Sequence, residues 1–107
     1  MKGIFVWKAR PGEEAEFERR WRAVSEALQA YPGARGTRLH RGITDPALFA
    51  GYASWDSLAD REGAQSRLRA ERADLRDMAE VSEMLFAGFF EEPHIVVAPQ
   101  GATGGQS

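Results

Sequence analysis

The sequence predicts an α+β fold of the ferredoxin-like type, with the element order β-α-β-β-α-β. Three observations support this prediction: apolar, β-rich segments near both ends, helical periodicity in two intervening segments, and turn residues at the boundaries. A chain of 107 residues has room for one core of ordinary size. We therefore expect one domain over residues 1–98, with a four-stranded antiparallel sheet and both helices on one face. Residues 99–107 are expected to form a flexible tail.

Composition indicates a globular protein and excludes several functional classes. The chain has 14 Lys and Arg against 16 Asp and Glu, so it has no basic field to attract phosphates. It contains no cysteine, which excludes disulfides, cysteine nucleophiles and zinc knuckles. The apolar run at residues 4–7 is too short for a signal sequence or a membrane span. We expect a cytoplasmic protein without a nucleic-acid or membrane partner.

The first two elements are a strand and an amphipathic helix. Residues 2–9 combine β-branched and aromatic side chains and end at a Pro-Gly turn, which predicts the first strand. A helix is expected over residues 13–30, because apolar residues recur there at helical spacing. These residues are Phe17, Trp21, Val24 and Leu28, and we expect the Trp21 side chain to lie in the core. Two i,i+4 ion pairs are expected on this helix, Glu16–Arg20 and Glu18–Arg22.

Two further strands and a second helical region follow. Residues 36–43 predict the second strand and residues 47–55 the third, with a Thr-Asp-Pro turn between them. Ser57 provides an N-cap oxygen and is followed three residues later by an acidic residue, as in a capping box. A helical region is therefore expected to begin there, to break near Gly63 and to end at about Val81.

The last part of the domain is rich in aromatic residues. A fourth strand is expected over residues 84–91, and Pro93 permits only a short further strand at residues 94–97. Strict alternation in the fourth strand separates its side chains into two sets. One face would carry Met84, Phe86 and Phe90, and the other Leu85, Ala87 and Phe89.

Both faces of the predicted sheet are apolar. In the first strand, Ile4 and Val6 lie on one face and Phe5 and Trp7 on the other, and the third and fourth strands repeat this pattern. Two helices cover only one face, and an uncovered apolar face of this size is unusual on a monomer. We predict a homodimer of C2 symmetry in which two sheets pack face to face, which makes a dimeric α+β barrel.

Four short motifs are distinctive. They are Pro11-Gly12-Glu13-Glu14 with Phe17, Tyr31-Pro32-Gly33, Asp45-Pro46 with Phe49, and Gly51-Tyr52-Ala53-Ser54-Trp55-Asp56-Ser57. Over about residues 2–92 the chain resembles the antibiotic biosynthesis monooxygenase family of the dimeric α+β barrel superfamily. The resemblance implies oxidation of an aromatic polycyclic phenol or quinol by molecular oxygen. It also implies that no metal, flavin or other cofactor takes part, because the anion of the substrate itself reduces oxygen.

The resemblance also assigns positions. The family's Trp at the end of the third strand matches Trp55, its Asn four residues earlier falls on Gly51, and its Tyr six residues later falls on Arg61. This chain contains no Asn. The Asn of the haem-degrading branch falls on Phe5, its Trp near Gly63 and its haem-ligating His near Ala73, so haem is not expected.

The candidate site residues come from the strand patterns and from the family resemblance. His40 shares one face of the second strand with Arg38, and a cationic neighbour favours a neutral imidazole that can act as a base. A lone strand His is also commonly a surface group, and a strand-end Trp either fills the core or forms a pocket wall. The catalytic candidates are His40 and Trp55; the substrate-binding candidates are Trp7, Arg38, Tyr52 and Arg61; no metal ligand is expected.

Two functions from different classes fit these residues. The first is the monooxygenase acting on a small aromatic molecule, for which Trp55→Phe and His40→Ala should lower turnover without unfolding. The second is a non-catalytic dimeric module that binds a small hydrophobic ligand. Oxygen uptake that requires both protein and phenol separates the two, whereas ligand binding does not. The sequence leaves open which face of the second strand meets the helices.

Overall fold

A computed structural model of the protein describes residues 1–101 and contains the six expected elements. The strands are β1 (Lys2–Ala9), β2 (Ala34–Arg41), β3 (Leu48–Trp55) and β4 (Ser82–Phe90). The helices are α1 (Glu14–Leu28) and α2 (Leu58–Glu71), and a single 3₁₀ turn, Met78–Glu80, precedes β4. The expected tail extends to residues 102–107, which lie outside the described part of the chain.

The four strands form one antiparallel sheet in the order β2-β3-β1-β4. β1 is central because it pairs with β3 on one side and with β4 on the other. This order is that of the split βαβ arrangement, so the predicted ferredoxin-like fold is confirmed. Over residues 1–101, neither helix has the length and apolar character needed to cross a membrane.

The core lies between the sheet and the helices. Phe17 of α1 is fully buried, and its ring centroid is 4.7 Å from that of Phe49 and 5.4 Å from that of Trp7. Trp55 is only 4% exposed at the end of β3. Odd-numbered residues of β1 and β3 therefore face the helices, and even-numbered residues form the opposite surface, which we call the open face.

β4 departs from strict alternation. The pairing of β4 with β1 shifts between Val6 and Trp7. Val6 lies opposite Phe86 and Trp7 opposite Met84, so that Leu85 is an extra residue in a β-bulge. Met84 therefore lies on the helix side with Trp7, and the prediction that placed it beside Phe86 and Phe90 is wrong. Phe86 and Phe90 lie on the open face with their rings stacked 6.3 Å apart.

The second helical region begins as predicted but ends earlier. The Ser57 hydroxyl accepts a hydrogen bond from the Asp60 N–H at 3.1 Å, which confirms the N-cap. The predicted break at Gly63 is wrong, because α2 is continuous through that position. The prediction that the helical region continues to Val81 is also wrong, because α2 ends at Glu71 and turns follow.

No strand forms at residues 94–97, so that prediction is wrong for the chain taken alone. A strand needs a neighbouring edge with free backbone groups. Within the described residues, the backbone of this segment makes no hydrogen bond.

One buried cation connects α1 to the segment before β4. Arg20 is 8% exposed, and its Nε donates to Glu16 Oε2 at 2.8 Å. Its Nη1 donates to Glu80 Oε1 and to the Asp77 carbonyl oxygen, both at 2.7 Å. The predicted Glu16–Arg20 pair is thus confirmed. The other predicted pair is wrong, because Glu18 lies near Arg41 and Arg22 near Glu26.

Replacement of Arg20 by Met should reduce stability most near neutral pH. Hydrogen bonds from Arg20, and secondly from Arg19, lower the pKa of Glu16 below its ordinary value of 4.5. A carboxyl group with a lowered folded-state pKa stabilises the fold above its unfolded pKa, and this contribution disappears as pH falls through the folded pKa. We therefore expect the difference in Tm between wild type and Arg20→Met to shrink as pH is lowered below 4.5.

Thermal unfolding of both proteins between neutral and acidic pH measures this difference. Arg22→Met is the matched control, because the Arg22 side chain is 77% exposed and lies 4.0 Å from its acidic partner. A Tm difference for Arg20→Met that stays constant with pH would contradict the proposed coupling to Glu16.

Candidate functional site

A cavity of about 200 Å³ lies between the sheet and the helices. Its aromatic walls are Phe5 and Trp7 of β1, Trp21 of α1 and Trp55 of β3, and Arg61 of α2 closes one side. The remaining lining residues are Val24, Ser25, Leu28, Gln29, Thr37, Gly51, Ala53, Gln65, Met78 and Met84. A cavity with flat aromatic walls and one cation suits a planar, anionic ring.

Gly51 has no side chain and so leaves room beside β3 for two indole rings, those of Trp7 and Trp21. A Cβ atom at this position would lie 2.9 Å from the Trp7 ring and 3.4 Å from Trp21 Nε1. The first distance is too short for a real contact, so any larger residue would displace Trp7. Trp7 thus occupies the space that the Asn expected here from the family resemblance would need.

The guanidinium of Arg61 lies over two aromatic rings and forms no ion pair within residues 1–101. Its Cζ lies 4.9 Å from the Phe89 ring centroid and 5.6 Å from that of Phe5. Within residues 1–101 its side chain has no ion pair and no hydrogen bond. Burial lowers the pKa of the guanidinium, an effect that Glu62 opposes. Since arginine stays protonated at neutral pH, Arg61 brings a partly desolvated positive charge to the cavity.

Three indole N–H groups are unpartnered. Within the described residues, the side chains of Trp7, Trp21 and Trp55 make no hydrogen bond. Among the described residues, every side-chain nitrogen or oxygen that is shut off from solvent has a hydrogen-bond partner. The three indole N–H groups have no such partner, so they must be in contact with solvent. All three rings line the cavity, and Trp21 Nε1 lies 3.4 Å from the position that a Cβ atom at Gly51 would take. Indole N–H groups are donors only, so they suit an acceptor oxygen.

The other polar groups of the cavity are partly occupied. Thr37 Oγ1 donates to the Tyr52 carbonyl oxygen at 2.8 Å, and Gln29 Oε1 accepts from the Gly36 N–H at 2.9 Å. No Asp, Glu or His is found among the described residues that line the cavity. The cavity therefore offers hydrogen-bond donors and one positive charge, but no side chain that takes up a proton at neutral pH.

A second group of candidate residues lies on the open face. Lys2, Arg38, His40 and Tyr52 line a shallow polar depression there, which we call the open-face cluster. The His40 ring is perpendicular to that of Tyr52 at 5.3 Å, so the expected cross-strand contact forms. The pairing of Arg38 with Tyr52 also decides the open question about β2: its even-numbered residues point away from the helices.

The structure thus separates the candidate residues into two groups. Trp7, Trp55 and Arg61 meet at the cavity. Arg38, His40 and Tyr52 belong to the open-face cluster. Within one chain, a molecule in the cavity cannot touch His40, because the sheet lies between them.

Sequence reasoning missed part of the cavity wall. Helical spacing assigned Trp21 to the core, yet it is only partly buried and lines the cavity. Polar residues on the same side of the helix could have indicated a cavity there. Ser25 and Gln29 follow Trp21 at i+4 and i+8, so a polar strip adjoins the aromatic ring.

The fold and the cavity define a class of α+β protein in which the cavity lies between a four-stranded antiparallel sheet and two helices. A family model described as antibiotic biosynthesis monooxygenase matches residues 3–74, more than half of the 107 residues. The chain belongs to the antibiotic biosynthesis monooxygenase family.

Solved structures show the same fold. SnoaB, a cofactor-independent oxygenase from Streptomyces nogalater, aligns with a TM-score of 0.75 and 17% identity over 89% of this chain and 94% of SnoaB. A conserved protein from Methanosarcina mazei aligns with a TM-score of 0.63 and 11% identity, over 78% of this chain and 85% of its own. PA3566 from Pseudomonas aeruginosa has a TM-score of 0.59 and 24% identity, over 84% and 92%. Curated proteins gave no significant match.

Proposed function

We propose that this protein is a cofactor-independent monooxygenase that oxidises a polycyclic phenol or quinol with molecular oxygen. The observation that carries the proposal is the unpaired Arg61 at an aromatic cavity. A partly desolvated positive charge at a cavity stabilises a phenolate, and aromatic walls hold its ring. Family membership and the structural similarity to SnoaB, a cofactor-independent oxygenase, support the reaction type.

The cavity size limits the substrate. Its volume of about 200 Å³ is below the range of roughly 300–1,000 Å³ common for drug-sized ligands. We therefore propose the smaller polycyclic phenols, with naphthols and dihydroxynaphthalenes as probes.

The proposed reaction balances without a cofactor. The phenol loses its proton to water, and the phenolate transfers one electron to oxygen, which gives a phenoxyl radical and superoxide. These combine through a new C–O bond into a peroxide anion, which takes the proton back from water and becomes a hydroperoxide. Loss of water then breaks the O–O bond and the C–H bond at the same ring carbon and leaves a quinone. One 1-naphthol and one oxygen molecule yield one 1,4-naphthoquinone and one water. All electrons come from the substrate.

The residues of the cavity act on the phenol and not on the oxygen directly. Arg61 lowers the pKa of the bound phenol, because a nearby positive charge favours the anion. The indole N–H groups of Trp7, Trp21 and Trp55 provide donors for its acceptor oxygens. Since no base lines the cavity, turnover should rise with pH until the bound phenol is ionised.

Oxygen uptake with 1-naphthol tests the proposal. Trp55→Phe should lower turnover about tenfold or more, because one donor and part of the wall are lost. Its Tm should stay well above the assay temperature. Tyr31→Phe is the matched control: it also removes one polar group from an aromatic ring, but the Tyr31 hydroxyl donates to Glu71 outside the cavity. Equal turnover of wild type and Trp55→Phe would contradict the assignment of Trp55.

One observation favours the second candidate function, a ligand-binding module without catalysis. Gly51 and Arg61 stand where the resemblance places an Asn and a Tyr. Saturating ligand at a hundredfold excess over Kd stabilises a protein by about 2.7 kcal/mol. A naphthol that raises the Tm of the wild type without any oxygen uptake would establish the binding module.

The base role predicted for His40 applies to a ligand bound at the open-face cluster. His40→Ala distinguishes the two faces. A loss of oxygen uptake in this variant would assign the proton acceptor to the open face, whereas unchanged uptake would confine the chemistry to the Arg61 cavity.

We also propose that the protein forms a homodimer through its open face. Phe86 and Phe90 are each 45% exposed there, next to Ile4 and Val6 of the central strand. Large apolar side chains grouped on one surface are typical of an interface, and a symmetric copy presents a matching surface. Sedimentation equilibrium measures the assembly, and a monomer at all accessible concentrations would contradict it.

A further inference from the structure

A groove of about 610 Å³ between α1 and β2 adjoins the Arg61 cavity. The two spaces share four lining residues, Trp21, Ser25, Gln29 and Thr37, which we call the neck. Arg61 lines the cavity but not the groove, so the neck and the charged side of the cavity are different places. The cavity volume therefore limits the ring system of a ligand, whereas the groove leaves room for a substituent that passes through the neck.

The neck contains a buried hydroxyl group without a partner. Ser25 is only 9% exposed, yet within residues 1–101 its hydroxyl makes no hydrogen bond. A serine inside a helix can donate to the carbonyl oxygen four residues earlier, but Ser25 does not. Since every side-chain oxygen shut off from solvent in the described residues has a partner, this hydroxyl reaches open space. A group so poorly hydrated is a suitable hydrogen-bond partner for a ligand atom.

Two further donors of the neck lie on either side of Ser25 along the chain. Gln29 Oε1 accepts from the Gly36 N–H at 2.9 Å, which holds the amide in place and leaves Gln29 Nε2 without a partner in residues 1–101. The indole N–H of Trp21 has no partner there either. The three residues follow one another at intervals of four, so they share one side of α1 at about 6 Å per interval. Because indole and amide N–H groups only donate, the neck suits an acceptor oxygen.

The charges of the groove favour a neutral acceptor. Its two acidic residues each lie near an arginine: Glu18 Oε2 is 3.7 Å from Arg41 Nη1, and Glu26 Oε2 is 4.0 Å from Arg22 Nη1. The third arginine of the groove, Arg38, also belongs to the open-face cluster. Since the charges along α1 are matched, a neutral polar substituent suits the groove better than an ion does.

We propose that Ser25 and Gln29 form a specificity-determining subsite that binds a carbonyl oxygen on a side chain of the substrate. The inference rests on the proposed function, because it takes the phenol ring to occupy the cavity with its own oxygen at Arg61. A carbonyl oxygen has two lone pairs, so it accepts from both the Ser25 hydroxyl and Gln29 Nε2. The rest of the side chain lies in the groove. The substrate class is thus a small polycyclic phenol with an acyl side chain on the ring remote from the phenol oxygen.

Two ligands of matched shape test the subsite. 5-Acetyl-1-naphthol and 5-isopropenyl-1-naphthol differ only in that a carbonyl oxygen of the first replaces a methylene carbon of the second. Calorimetry under nitrogen measures the Kd of each ligand without oxidation. Wild type should bind the acetyl compound about tenfold more tightly, which is the upper range of the net effect of a hydrogen bond. Equal Kd values for the two ligands would overturn the proposal.

Two substitutions assign the preference to the neck. Ser25→Ala removes a donor that has no partner in the fold, and Gln29→Glu keeps an acceptor for the Gly36 N–H but replaces the free amide nitrogen by a carboxylate oxygen. In each variant the preference for the acetyl compound should fall to about twofold or less. Ser66→Ala is the matched control, because Ser66 is exposed on α2 and lines neither space. A tenfold preference that persists in both neck variants would come from phenol acidity and would overturn the proposal.

Oxygen uptake with the same ligands separates this inference from the proposed function. A neck-dependent preference without any oxygen uptake would support the subsite and contradict the monooxygenase reaction. Oxygen uptake with equal affinity for the two ligands would overturn the subsite and leave the monooxygenase reaction in place. If neither ligand bound, the subsite and the proposed function would both be wrong.

Discussion

Replacement of Arg61 by Met should lower kcat/KM for oxygen uptake with 1-naphthol by about 10²–10³-fold, the usual effect of removing one group that stabilises a developing oxyanion. The physical reason is that within residues 1–101 the Arg61 guanidinium makes no ion pair and no hydrogen bond and is partly desolvated, so a bound phenolate is a suitable partner. The fold should survive, because no ion pair is broken. Oxygen-electrode assays and thermal unfolding on the same samples measure both effects.

The pH dependence makes this prediction specific to charge. Without Arg61 the pKa of the bound phenol rises, so half-maximal turnover should move to higher pH. Arg61→Lys retains a charge and should recover part of the activity. Arg67→Met removes an exposed charge from the same helix and serves as the matched control. If Arg61→Met and Arg67→Met had the same kcat/KM, the proposed role of Arg61 would be wrong.

Replacement of Phe17 by Ala should destabilise the fold by about 3–5 kcal/mol, the cost of removing a buried Phe side chain. Phe17 is fully buried between Trp7 and Phe49, which are anchored in two paired strands, so the surroundings cannot collapse freely into the space. The corresponding fall in Tm is about 12 °C or more for a domain of this size.

Urea and thermal unfolding measure this loss. Leu58→Ala is the control, because Leu58 is 42% exposed on α2 and should cost much less. An equal loss of stability in the two variants would mean that the contacts of Phe17 do not dominate the core.

Local periodicity carried most of the fold prediction. The recurrence of Phe17, Trp21, Val24 and Leu28 identified α1, and Ser57 identified the start of α2, because such signals depend on neighbours within about one helical turn. The order β-α-β-β-α-β then predicted the sheet topology of the ferredoxin-like fold. The resemblance to the antibiotic biosynthesis monooxygenase family came from short motifs in the same way.

Long-range pairing decided the site. Alternation in β4 misplaced Met84, because the bulge at Leu85 arises from the register with β1 and not from the local sequence. The separation of His40 from Trp55 likewise depends on which face of β2 meets the helices. Trp21 was assigned to the core because helical spacing identifies the buried side of a helix but not the empty space beside it.

The sequence by itself determined the order of the elements, the apolar stripe of α1 that contains Phe17 and the apolar character of both sheet faces. Only the tertiary structure decided that Arg61 meets three Trp residues at one cavity while His40 lies on the other side of the sheet. The physical reason is that secondary structure follows from contacts between near neighbours, whereas a cavity depends on strand register and helix packing between distant residues.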